Sequence, residues 1–103
     1  MKGIRQNDLE AAMLNVKNGM EKDFEEAFIQ ASKTISSMGG YISHQLQRCL
    51  EAPGKYLLLV QWSDLESHTV GFRQSVEYQE WKRLLHHFYD PFPIVEHFEQ
   101  VSL

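Results

Sequence analysis

The chain has one cysteine in 103 residues, no clustered basic stretch, and no apolar run near the ~20 residues that cross a bilayer. A lone Cys49 excludes an intrachain disulfide and a thiolate metal cluster, and it reads as a small, half-buried strand residue. Ten Lys and Arg against fourteen Asp and Glu give a net charge of −4. The basic residues are dispersed beside acids, which argues against nucleic acid as a partner, since phosphate binding needs clustered cations. A Gly-rich phosphate loop, a Ser-His-Asp set, a close carboxylate pair, internal repeats and low-complexity segments are all missing. Residues 1–8 have no apolar h-region and read as a solvated tail rather than a secretory signal. The expectation is a cytoplasmic protein without a membrane partner, with a single domain over residues 9–103.

What is present begins with Lys55–Trp62, a strand pattern that is apolar on both faces. Tyr56, Leu58, Val60 and Trp62 point one way, Leu57 and Leu59 the other. The remaining chain carries enough helix to cover one sheet face, so the second face needs another cover, most simply a second copy of the chain. Leu9–Val16 reads as a first strand, ended by Lys17-Asn18-Gly19. Asn18 with Glu21 forms a capping-box pattern for a helix over Met20–Met38, whose stripe is Phe24, Ala27, Phe28, Ala31, Ile35 and Met38. Gly39-Gly40 ends it.

Tyr41–Leu50 alternates with a period of two, and Glu51-Ala52-Pro53-Gly54 is turn chemistry, so this strand pairs with Lys55–Trp62 as a hairpin. Ser63-Asp64-Leu65-Glu66 is a second capping box, opening a short helix through His68 to Phe72. Ser75 caps another helix with the stripe Tyr78, Trp81, Leu85 and Phe88, which Pro91 and Pro93 stop. Ile94–Val101 is the last strand. The order β-α-β-β-α-β, with right-handed crossovers, predicts an α+β, ferredoxin-like four-stranded antiparallel sheet with helices on one face. Its bare apolar face predicts a homodimer through the sheets.

The strand end Leu58-Leu59-Val60-Gln61-Trp62, the run Ser63-Asp64-Leu65-Glu66-Ser67-His68, and Phe72-Arg73-Gln74-Ser75 with Tyr78-Gln79-Glu80-Trp81 resemble the antibiotic biosynthesis monooxygenase (ABM) family. Leu14–Gly19 and Gly40–His44 fit it too, so the resemblance covers Leu9 to about Val101. It implies a dimeric α+β barrel with a pocket between each subunit's sheet and helices. It also implies cofactor-independent oxygenation of an aromatic or quinone-like small molecule; some members instead degrade haem, act on signalling sugars or have no known substrate. The haem-degrading branch carries Asn, Trp and an axial His where this sequence has Ala12, Phe72 and Lys82, so no imidazole stands at the ligand position.

Oxygenation without a cofactor needs a base, donors for a developing oxyanion and a dry aromatic slot. His68 is the first candidate for the base, with Phe72 one turn on. His86 and His87 are further candidates, but neighbours about 100° apart on a helix cannot both face one pocket. No second ligand stands at i+3 or i+4, so no metal site is expected; that no cofactor is needed is what the resemblance implies. Phe72, Trp81 and Tyr89 are candidate walls, and Trp81 with Tyr78 and Phe88 reads either as a stack for a planar ligand or as plain core. His44 and Arg48 share a strand face, toward either the helices or a partner subunit, and serve either substrate oxygens or interface hydrogen bonds. Asn15 and Trp62 read as rim candidates, His97 as interfacial or exposed. The rival readings are a non-catalytic small-molecule-binding or stress-response domain, and a haem-degrading enzyme or isomerase.

Overall fold

The structure is a computed structural model describing residues 8–103. The expected tail lies outside the described residues except for Asp8, which is instead the first residue of a strand. Four strands, β1 (Asp8–Asn15), β2 (Tyr41–Arg48), β3 (Lys55–Trp62) and β4 (Val95–Phe98), form one antiparallel sheet in the order β2-β3-β1-β4. Helices α1 (Glu21–Ile35) and α2 (Val76–Leu85) pack on one face of it. This is the ferredoxin-like α+β fold that the element order predicts. No helix among the described residues is long and apolar enough to cross a membrane.

The two-sided reading of β3 holds in detail. Tyr56, Leu58, Val60 and Trp62 are buried against the helices, while Leu57, Leu59 and Gln61 stay half-buried on the opposite face. On β1 the buried set is Glu10, Ala12 and Leu14, and Met13 stands exposed between them. Phe24, Phe28, Ala31 and Ile35 form the buried stripe of α1, with Phe24 wedged 4.9 Å from the Tyr56 ring. Each such side chain contributes about 1.5–3 kcal/mol through removal from water.

Local chemistry departs from expectation at two helix starts and one strand. Met20, not Asn18, precedes α1, and no side chain caps it; Gly19 turns the chain with φ +85°. The second cap is made by Asp64 rather than Ser63, its Oδ1 accepting from the Ser67 amide at 2.8 Å. The segment it opens, Ser67–Phe72, is a π-helical turn, widened so that the Arg73 amide bonds to the His68 carbonyl. Ser75 caps α2 as its sequence predicts, accepting from the Tyr78 amide at 3.1 Å. In β2 the pairing shifts at Ile42, an extra residue that breaks the simple alternation. The bulge brings Tyr41 and His44 onto the same face.

Gly40 decides where the π-helical turn sits. Its φ is +83°, and a Cβ there would lie 2.0 Å from Ser67 Oγ. Only a residue without a side chain lets β2's start approach the segment that carries His68.

Candidate functional site

A cavity of about 280 Å³ lies between the helix-facing side of the sheet and the chain from Phe72 to Val95. Ala12, Leu14 and Leu58 line it from the strands. Ala12 is the small residue between its cross-strand neighbours Leu58 and Val95, and this keeps the space open. The aromatic side chains Phe72, Tyr78, Trp81, Tyr89 and Phe92 supply most of the wall. Phe72 meets Tyr78 and Trp81 edge-on at 5.2 and 5.7 Å, a rigid arrangement with ring faces and edges available to a flat ligand.

The polar lining is Glu10, His68, Arg73 and His86. Glu10 and His68, at 5% and 2% exposure, are the only buried charged or polar residues among the described residues. Glu10 Oε1 accepts from Trp62 Nε1 at 2.9 Å and lies 3.4 Å from His68 Nε2. His68 also stacks on the Trp62 indole, ring centroids 5.5 Å apart. On its other side, His68 Nδ1 is 2.8 Å from His97 Nε2, and that nitrogen is 3.9 Å from Asp8 Oδ2. Three elements thus bring four ionisable groups into a row: β1 gives Asp8 and Glu10, the π-helical turn His68, and β4 His97.

Burial sets the charge of Glu10 and His68. It raises the Glu10 carboxyl to about 7, against the smaller opposing effects of the Trp62 hydrogen bond and the Arg73 charge. Burial, then Arg73 and His97, lowers His68 to about 3. Between those values both groups are neutral, so their contact is an acid–imidazole contact rather than a salt bridge. Asp8 is also raised by burial, and its Oδ2 is a buried atom with no hydrogen-bond partner.

The sequence candidates divide between this cavity and elsewhere. His68, His86, Phe72, Trp81 and Tyr89 line it. His86 is half-buried, its ring 4.8 Å from that of Phe92, and burial followed by Lys82 lowers its pKa. His87 is exposed against Phe88 and outside the lining. Of the two faces open to them, His44 and Arg48 take the one toward α1. His44 Nε2 lies 2.9 Å from Ser32 Oγ, and Tyr41 Oη lies 2.5 Å from His44 Nδ1. Arg48 pairs with Glu25, which also accepts from the Tyr56 hydroxyl at 2.6 Å. Trp62 is fully buried rather than at a rim. His97 is a partner of His68 rather than an exposed residue, and Asn15 lies outside the lining, its carbonyl accepting from the Asp90 amide.

Sequence reasoning missed Glu10, Arg73, Phe92 and His97 as site residues. For Glu10 a signal existed: it shares the face of Ala12, Leu14 and Val16, and an acid on an apolar strand face needs a partner. Among the described residues no group of three His, Cys, Asp or Glu side chains is placed to hold a metal ion.

Residues 9–84 match the antibiotic biosynthesis monooxygenase family. The chain belongs to that family. Among curated proteins, it is 63% identical over 92 residues to the uncharacterized protein YczJ of Bacillus subtilis, spanning 89% of this chain and 97% of that one. Among solved structures, a Bordetella bronchiseptica protein provisionally assigned to the ABM family superposes with a TM-score of 0.90 at 35% identity, over 95% of this chain and all of the other. SnoaB of Streptomyces nogalater, a cofactor-independent oxygenase, superposes with a TM-score of 0.72 at 17% identity, covering 95% and 96%. That likeness is one of fold. ABM membership accounts for the sheet and the helices packed on it; the cavity and the Glu10–His68–His97 row are readings of this chain's own residues.

Proposed function

We propose that this ABM protein is a cofactor-independent monooxygenase of an aromatic or quinone-type small molecule, working as a homodimer. The observation that carries the reading is a cavity walled by aromatic rings with a buried acid–imidazole pair, Glu10 and His68, in its lining. A phenol such as 1-naphthol and O₂ give a quinone and water with atoms and electrons balanced, so no outside reductant is consumed. Loss of the substrate proton yields an electron-rich anion that passes an electron to O₂, and the resulting radical pair joins in a C–O bond. The retained proton completes a hydroperoxide. Loss of the remaining C–H proton then places that electron pair in the new carbonyl bond as the O–O bond breaks, and the departing hydroxide leaves as water.

The protein must take up and return protons twice, which suits a carboxyl raised to about 7, poised between its acid and its carboxylate near neutral pH, beside an imidazole that stays neutral there. His68, depressed by burial, is a weak base alone; Glu10, raised to about 7, is matched to the task, with His68 holding it in place. Phe72, Trp81 and Tyr89 orient the ring, and His86 lies in the lining beside Phe92 and Tyr89. Dimerisation would cover Leu57, Leu59, Met13 and Phe98 on the open sheet face, the last two 43% and 49% exposed in the single chain.

Oxygen-electrode traces with purified protein and a panel of naphthols, anthrones and quinols test the reading. Uptake with stoichiometric quinone formation is expected, and Glu10→Gln and His68→Ala should each lower it at least ~100-fold, the scale of acid–base catalysis. Undiminished uptake in both variants would remove the pair from the mechanism; no uptake with any compound would leave a binding domain.

A further inference from the structure

Arg73 is the one cationic side chain among the lining residues, and it forms no ion pair among the described residues. The contrast with its counterparts is sharp: Arg48 is held by Glu25 and Arg83 by Glu80 within the chain. The only acid in the lining is Glu10, which is buried, bonded to Trp62, and not within ion-pair distance of Arg73. Arg73 nonetheless acts on Glu10 and His68 through its charge. Its backbone is fixed, because its amide closes the π-helical turn onto the His68 carbonyl at 3.1 Å. Lys82, outside the lining, stands 5.4 Å over the ring of Tyr78, another lining residue. A protein of net charge −4 therefore places in the lining of one aromatic cavity a cation that has no acid partner among the described residues.

We propose that Arg73 anchors an acidic group of the ligand, so that the cavity takes hydroxylated aromatic acids in preference to neutral phenols. This rests on the reading of the cavity as the substrate site. A planar guanidinium matches a carboxylate with two parallel hydrogen bonds, and the aromatic wall takes the ring to which that carboxylate is attached. A neutral phenol of the same shape fills the wall but leaves the cation solvated and idle.

Binding under nitrogen, read by ligand fluorescence, separates this from turnover. The probes are 1-hydroxy-2-naphthoic acid, its methyl ester and 1-naphthol, with wild type, Arg73→Gln, Arg73→Lys and the control Arg83→Gln. The acid should bind about tenfold more tightly than the ester or naphthol, the scale of one charge-assisted hydrogen bond. Arg73→Gln should erase the preference, Arg73→Lys keep part of it, and Arg83→Gln keep all of it. Circular dichroism unchanged from wild type makes the comparison one of binding. Equal binding of acid and ester, a preference that survives Arg73→Gln, or no saturable binding of any probe would each overturn the assignment. Arg73-dependent preference without oxygen uptake would leave the assignment standing and remove the oxygenase reading; uptake that ignores the carboxylate would do the reverse.

Discussion

His68 Nδ1 and His97 Nε2 lie 2.8 Å apart, joining the π-helical turn to β4 across 29 positions of sequence. Two imidazoles at that distance share one proton, so one ring donates and the other accepts. A second proton on the pair would set two N–H groups against each other.

The first expectation concerns that bond. His97→Ala leaves the buried His68 Nδ1 without its partner and should cost about 1–3 kcal/mol, read by urea unfolding. His97→Gln keeps a side chain able to donate or accept and should recover part of the loss. Equal stability of wild type and His97→Ala would mean the contact contributes nothing.

Glu10 gives a pH-dependent prediction. Its folded pKa, about 7, lies above its ordinary 4.5, so the folded state loses stability as pH rises through that interval and regains it below. Glu10→Gln keeps the acceptor for Trp62 without a charge. The variant should match wild type near pH 4.5 and exceed it by up to about 3 kcal/mol above pH 8, at 1.36 kcal/mol per unit. His68 has the opposite sign: its depressed pKa costs stability as pH falls from 6.5 toward 3. Chemical denaturation of the two proteins across pH 4.5–9 checks the crossing.

Gly40→Ala should be far more damaging than a helix-surface substitution. The positive φ alone costs an L-residue roughly 1–2 kcal/mol, and the new Cβ would overlap Ser67 Oγ and Cβ. Loss of several degrees in Tm is expected, with displacement of His68. The double variant Gly40→Ala/Ser67→Gly removes the overlap while retaining the backbone strain, so it should recover part of the loss.

Phe72 separates packing from chemistry. It is 2% exposed and touches Trp62, Tyr78 and Trp81. Phe72→Ala should cost about 3–5 kcal/mol, while Phe72→Leu, closer in volume, should cost far less. If Phe72 also seats the ligand ring, Phe72→Leu should weaken binding of 1-hydroxy-2-naphthoic acid more than it weakens the fold.

The open sheet face predicts the oligomeric state. Leu59→Glu puts a charge among Leu57, Met13 and Phe98 without touching the helix-facing core. Light scattering after size exclusion should show a dimer for wild type and a monomer for the variant, with unchanged far-UV circular dichroism. A wild-type monomer at micromolar concentration would remove the dimer from the proposal.

Much of this architecture was legible in the amino-acid order because it depends on local periodicity. The stripe Phe24, Phe28, Ala31 and Ile35, the two faces of β3 and the Ser75 cap all follow from which residues recur at 3.6 or 2 positions, or which side chain reaches an amide three residues on. Those relations are short in sequence and nearly independent of the rest of the chain. The Ile42 bulge, the widening of Ser67–Phe72 and the approach of Gly40 to Ser67 were decided only by packing, since each depends on what lies across the sheet. The same is true of the candidate site. His68 carries its pattern openly, but Asp8, Glu10 and His97 join it from strands that meet only after the sheet closes. The proton affinities of Glu10 and His68 arise from a burial that no single segment creates.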